Sequence, residues 1–163
     1  MTQQTDNKSV EYKKPEVKKI LIAIDKSGYK EKIIAYTITL SKSLGASVTA
    51  IHVVDKASLG IIGDMVGYYR GGRTEEYEMT VKKQAEEFLN ETKILLEKEG
   101  VNTTIEVVIK SSAAEGIIEY AKDNDVDLIL IGTKGISGVA RFLMGGVANS
   151  VISHAHCPVL AIR

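Results

Sequence analysis

Asp127-Leu-Ile-Leu-Ile-Gly132-Thr-Lys-Gly135, nine further residues, then Gly145-Gly146-Val147, is the stretch that decides the fold. The apolar run Leu128 to Ile131 stops at Gly132, and two more glycines follow at Gly135 and Gly138. Gly145-Gly146 then opens a helix-compatible segment, Val147 to Ser153. The order is a buried strand, a glycine-rich loop and a helix start. Glycine lets the backbone approach a ligand closely or take a positive φ. A helix N-terminus presents unpaired N–H groups at the positive end of its dipole. Together these features suit a phosphate. Glycine-rich loops also simply turn corners, so the rest of the chain has to supply the context.

Upstream, the same alternation repeats. Lys19 to Ile24 is a second unbroken apolar run, ending at Asp25. A run without alternation fits a strand covered on both faces of a parallel sheet. Ser27 is placed to cap a helix whose stripe is Ile33, Ile34, Thr37, Ile38, Ser41 and Leu44, and Gly45 stops it. Ala46 to Val54 reads as the next strand, with Asp55 at its end. His52 lies inside that strand, where a lone histidine reads as a packing residue rather than a ligand.

Residues 56–73 are rich in glycine and carry Met65, Tyr68 and Tyr69. A connection of this length suits a lid or a partner surface, and equally a plain insertion. Thr74 is placed to cap a long helix with the stripe Tyr77, Val81, Ala85, Phe88, Leu89, Thr92, Leu95 and Leu96, closed by Gly100. Thr104 to Ile109 is a third strand. Ser112-Ala-Ala-Glu115 is a capping box for a helix with Ile117, Ile118 and Ala121. Asp127 to Ile131 is the fourth strand. Pro158 to Ile162 is the last, and its leading proline suits a sheet edge.

Strands thus alternate with helices, which predicts an α/β fold: an open, five-stranded parallel sheet with helices on both faces. Such sheets bind ligands beyond the carboxyl ends of strands, where the strand order reverses. If the first and fourth strands are neighbours there, Asp25 and the glycine loop share a crevice. Otherwise Asp25 merely begins the following helix turn.

Composition narrows the function. The chain has 163 residues, with Lys+Arg and Asp+Glu at 21 each. This size suits one domain, residues 17–163, behind a polar N-terminal tail, residues 1–16. Zero net charge argues against nucleic acid as the main partner. No apolar run approaches the roughly 18–20 residues of a membrane helix, and no secretory leader is evident. No membrane association and a soluble, cytoplasmic protein are therefore expected. The P-loop, dinucleotide and nucleophile-elbow motifs are absent. His154, His156 and Cys157 lie close together but lack a partner cluster, so no metal site is expected there. Cys157 reads as a buried thiol.

The glycine pattern, Ile-Ala-Ile-Asp25, Ile51-His52-Val53-Val54-Asp55 and the closing Cys157-Pro-Val-Leu-Ala-Ile-Arg163 together resemble the universal stress protein family. The resemblance covers about residues 17–163. It implies an adenine nucleotide alpha hydrolase-like sheet of order 3-2-1-4-5 and a stress-response module binding ATP, ADP or AMP, with Mg²⁺ accompanying the nucleotide. By position, Ala23 and Ile24 would form part of the adenine wall. Asp25 would meet the ribose or adenosine, or a nucleotide-bound Mg²⁺, and Val53 would read the adenine edge through its backbone. Gly132 and Gly135 would line the ribose and phosphate path. The N–H groups of Gly145 and Gly146, ahead of Val147, would hold phosphate, and Lys134 would add charge. The resemblance also implies a homodimer through the last strand, Val159 to Ile162. Two departures stand out: the family's hydroxyl after the third motif glycine is Gly146 here, and a second is replaced by Ala148. Two rivals to the binding module are a slow ATPase or phosphotransferase on the same site, and a nucleotide-free dimeric scaffold. No general base or arginine finger is evident, and Arg141 is the only arginine inside the motif.

Overall fold

The computed structural model describes residues 14–26, 30–56, 74–133 and 145–163. Ser27, Lys134, Gly135, Gly138, Arg141, most of the tail and the 56–73 connection beyond Lys56 lie outside the described residues.

The described elements run β1 Lys19–Ala23, α1 Lys30–Leu44, β2 Ser47–Asp55, α2 Thr74–Lys98, β3 Thr103–Lys110, α3 Ala113–Asp123, β4 Leu128–Gly132, α4 Gly146–His154 and β5 Val159–Ile162. The strands form one parallel sheet of order β3-β2-β1-β4-β5. β1 lies at its centre, with Ile22 opposite both Ala50 of β2 and Leu130 of β4.

Alternation along each strand divides the core between the two faces. Ile20 and Ile22 of β1 and Leu130 of β4 join Ile33 of α1 and Ala85, Leu89 and Leu96 of α2. Leu21 of β1 and Ile129 and Ile131 of β4 join Ala114, Ile117 and Ala121 of α3 and Ala148 and Val151 of α4. The first two helices therefore cover one face and the last two the other. Right-handed crossovers require this once the chain returns from β3 across the sheet to β4.

The helix stripes are narrower than their spacing predicts. Leu44 and Leu95 were expected in the core, yet they are 45% and 47% exposed. Leu44 occupies the last residue of α1, and Leu95 sits beside the buried Leu96 on α2. Gly45 and Gly100 do end their helices in the left-handed region, with φ of 66° and 79°. The Ser112 hydroxyl accepts from the N–H of Glu115 at 3.2 Å and caps α3.

Asp127 acts away from the strand ends that carry the glycines. One of its carboxylate oxygens accepts from the N–H groups of Lys18 and Lys19, at 2.8 and 2.9 Å. It staples the entry of β1 to the entry of β4. Among the described residues, no helix is long and apolar enough to cross a membrane.

Candidate functional site

β1 and β4 are neighbours whose connections leave toward opposite sides of the sheet, so a crevice opens beyond their carboxyl ends. Its volume is about 490 Å³, within the range of small-molecule sites. Ala23, Ile24 and Asp25 enter from β1, Val53 from β2 and Gly132 from β4. Gly145, Gly146 and Val147 enter from the start of α4. Every described residue expected at the site therefore borders the same space.

The crevice has walls that the motif reading did not assign. Ile51, Val54 and Ile131 line it from the strands, Ala113 and Ile117 from α3, and Val81, Gln84 and Ala85 from α2. Lys26 and Asp55 stand at its rim of strand ends. The strand residues were visible only as generic apolar positions. The α2 residues are remote in sequence, and only packing of α2 on the sheet brings them in.

The base of the glycine segment is closed by a hydrogen bond. The N–H of Gly145 donates to the carbonyl of Thr133 at 2.8 Å. The Gly145 N–H, expected to hold phosphate, here joins the end of β4 to the start of α4. The Gly145 carbonyl accepts from Asn149 N–H at 3.0 Å, the first turn of the helix. The N–H groups of Gly146, Val147 and Ala148 precede any intrahelical partner. Among the described residues no side chain caps this end, whereas Ser112 caps α3. α4 thus presents the positive end of its dipole to the crevice. An apolar slot leading to such a helix end fits a flat, uncharged ring carrying an anionic tail.

The same architecture recurs in known proteins. Residues 16–163 match the model of the universal stress protein family. This chain belongs to the universal stress protein family. It is 35% identical over 146 residues to a universal stress protein of Methanocaldococcus jannaschii, covering 90% of this chain and 82% of the relative. A universal stress protein of Archaeoglobus fulgidus, solved in complex with dAMP, superposes with a TM-score of 0.63 at 23% identity, covering 91% of this chain and all of that one. A universal stress protein solved in complex with cAMP gives a TM-score of 0.62 at 15% identity, covering 91% and 98% of the two chains.

Within this universal stress protein fold, Gly116 sets how closely α3 approaches the crevice. A Cβ there would stand 2.8 and 2.9 Å from the two methyl groups of Val53. Absence of a side chain lets the helix lie directly on the strand residue that lines the site. His52, expected as a packing residue, packs edge-on against Phe88 of α2 with ring centroids 5.8 Å apart. It also borders the crevice, and its Nδ1 lies 2.8 Å from the Ile24 carbonyl.

The His154–Cys157 region lies apart from the crevice lining. His154 Nδ1 donates to the Ser150 carbonyl at 2.8 Å, and no metal-competent cluster occurs among the described residues. Cys157 is half-buried, and burial, with the Asp127 carboxylate adding to it, pushes its thiol pKa up. Burial likewise raises the Tyr120 phenol.

Proposed function

We propose that the crevice binds an adenine nucleotide and that the protein is a regulatory binding module of the stress response. One observation carries this reading: Asp25, Val53, Gly132 and the N-terminus of α4 border a single space at the reversal of strand order. The apolar walls suit the base. Asp25 stands where a carboxylate would accept ribose hydroxyls or face a nucleotide-bound Mg²⁺. The N–H groups of Gly146 and Val147 suit phosphate oxygens. The dAMP and cAMP complexes of two structural neighbours support an adenine ligand with one phosphate.

Gly146 and Ala148 shift the preference toward fewer phosphates. A lost hydrogen bond to a charged group is worth about 1.5–3 kcal/mol, or roughly tenfold or more in affinity. AMP and ADP therefore compete with ATP better here than in relatives bearing both hydroxyls.

We also propose self-association through β5, an edge strand whose Val159, Leu160 and Ala161 are half-buried in the single chain. Light scattering tests the dimer, and a monomer at high micromolar concentration removes it.

The decisive experiment strips the purified protein and titrates it by calorimetry with ATP, ADP, AMP and cyclic AMP, with and without Mg²⁺. Saturable binding of at least one nucleotide, weakened in Asp25→Ala, is expected. No binding by any of the four overturns the reading in favour of a nucleotide-free scaffold.

A further inference from the structure

We infer that His52 is a positioning residue for the crevice: its imidazole holds the Ile24 carbonyl and so sets how Asp25 enters the binding space. The inference rests on the adenine-nucleotide reading of the crevice.

Ladder pairing between β1 and β2 reaches its last pair at Ala23 and Ile51. One residue on, the Ile24 N–H still donates to the Ile51 carbonyl at 3.0 Å. The Ile24 carbonyl is bonded differently. Among the described residues, the side chain of His52, with Nδ1 at 2.8 Å, supplies its hydrogen bond in place of a main-chain N–H. A carbonyl only accepts, so Nδ1 carries the proton, whatever the charge of the ring.

Both backbone polar groups of Ile24 are therefore held by β2 just before Asp25. Ile24 is 2% exposed, so little water reaches it to replace a lost partner. The ring itself is held from α2, edge-on to Phe88. Phe88 in turn carries the ammonium of Lys30 at 4.4 Å from its ring centre, and Lys30 pairs with Glu91 at 3.4 Å. Helices α1 and α2 thereby fix the imidazole plane, and the imidazole fixes the turn out of β1. A histidine placed only for packing would need the Phe88 contact but not a proton aimed at a carbonyl that leads into the crevice.

The test compares wild type, His52→Leu and His52→Asn by AMP titration, with thermal melts to confirm that each is folded. The asparagine amide N–H occupies the place of Nδ1–H, whereas leucine keeps the apolar bulk and removes the donor. AMP affinity should fall roughly tenfold or more in His52→Leu and stay within about threefold of wild type in His52→Asn. ¹⁵N NMR of the wild-type imidazole should show the proton on Nδ1. A folded His52→Leu that binds AMP like wild type overturns the positioning role alone, as does a His52→Asn as defective as His52→Leu. An Nε2–H tautomer in the wild type overturns it even if His52→Leu fails to fold. A wild type that binds none of the adenine nucleotides overturns the crevice reading together with this inference.

Discussion

Replacing Gly116 by alanine is the sharpest test of how the crevice wall is built. In an ordinary exposed helix this change is stabilising by about 1 kcal/mol, because glycine is a poor helix former. Here the new methyl carbon would stand 2.8 and 2.9 Å from Val53 Cγ1 and Cγ2, and 3.4 Å from Lys110 Cγ. Carbon atoms prefer about 3.5–4.0 Å, so a gap of roughly 0.7–1 Å has to be opened. Val53 is β-branched and stiff at χ1, so it cannot swing aside cheaply. Overpacking of this kind costs about 1–3 kcal/mol. Setting a clash of about 2 kcal/mol against a propensity gain of about 1 leaves a net loss of about 1 kcal/mol.

For a domain of this size that lowers Tm by about 2–4 °C. The urea midpoint should fall by about half a molar, taking m as about 2 kcal/mol/M. Gly146→Ala is the control, because a Cβ there meets nothing within 4 Å among the described residues. Urea unfolding of both variants, followed by circular dichroism, decides the matter. A Gly116→Ala protein as stable as Gly146→Ala, or more stable than wild type, refutes the argument that α3 needs glycine to seat on Val53.

Three other outcomes follow from the same structure. A Cβ at Gly146 meets none of the described residues within 4 Å, so Gly146→Ser should restore a phosphate-facing hydroxyl and raise ATP affinity roughly tenfold relative to AMP; unchanged ATP affinity by calorimetry would count against the phosphate role of this position. The Thr92 hydroxyl is fully buried with no hydrogen-bond partner among the described residues, so Thr92→Val should stabilise by about 1 kcal/mol, read as a higher Tm. The Cys157 thiol and Tyr120 phenol are both held protonated above their ordinary values of 9.0 and 10.0. The native state then binds more protons than the unfolded chain, so stability should be intact below about pH 9 and fall as pH rises beyond it. Urea midpoints from pH 7 to 10.5 check the slope, and iodoacetamide should label native Cys157 more slowly than unfolded Cys157 at pH 8.

Much of the molecule is written in its residue order. The apolar runs at Leu128–Ile131 and Lys19–Ile24, each cut short by Gly132 or Asp25, announce buried parallel strands. Gly45, Gly100 and Ser112 mark helix ends because φ > 0 and N-capping are local requirements met by local residues. Those signals reach only a few residues along the chain. Adjacency of β1 and β4 does not: by pattern alone, Asp25 and Gly132 share a crevice only on condition that their strands pair. The sheet order supplies that condition.

Hydrogen bonds across the chain decide the rest. Gly145 looks like a phosphate donor until Thr133 accepts its N–H. His52 looks like packing alone until Ile24 presents its carbonyl. Gly116 carries no motif at all, and its need for a bare Cα exists only because α3 meets Val53. Leu44 and Leu95 fit their helical stripes by spacing, yet the described elements leave them 45% and 47% exposed. Periodicity states which side of a helix is apolar, whereas the width of the buried stripe depends on what packs against it. Sequence by itself thus determined the elements and their order, through local backbone chemistry. Tertiary structure decided which residues border the crevice and which polar groups pair with one another, because that depends on partners far away in the chain.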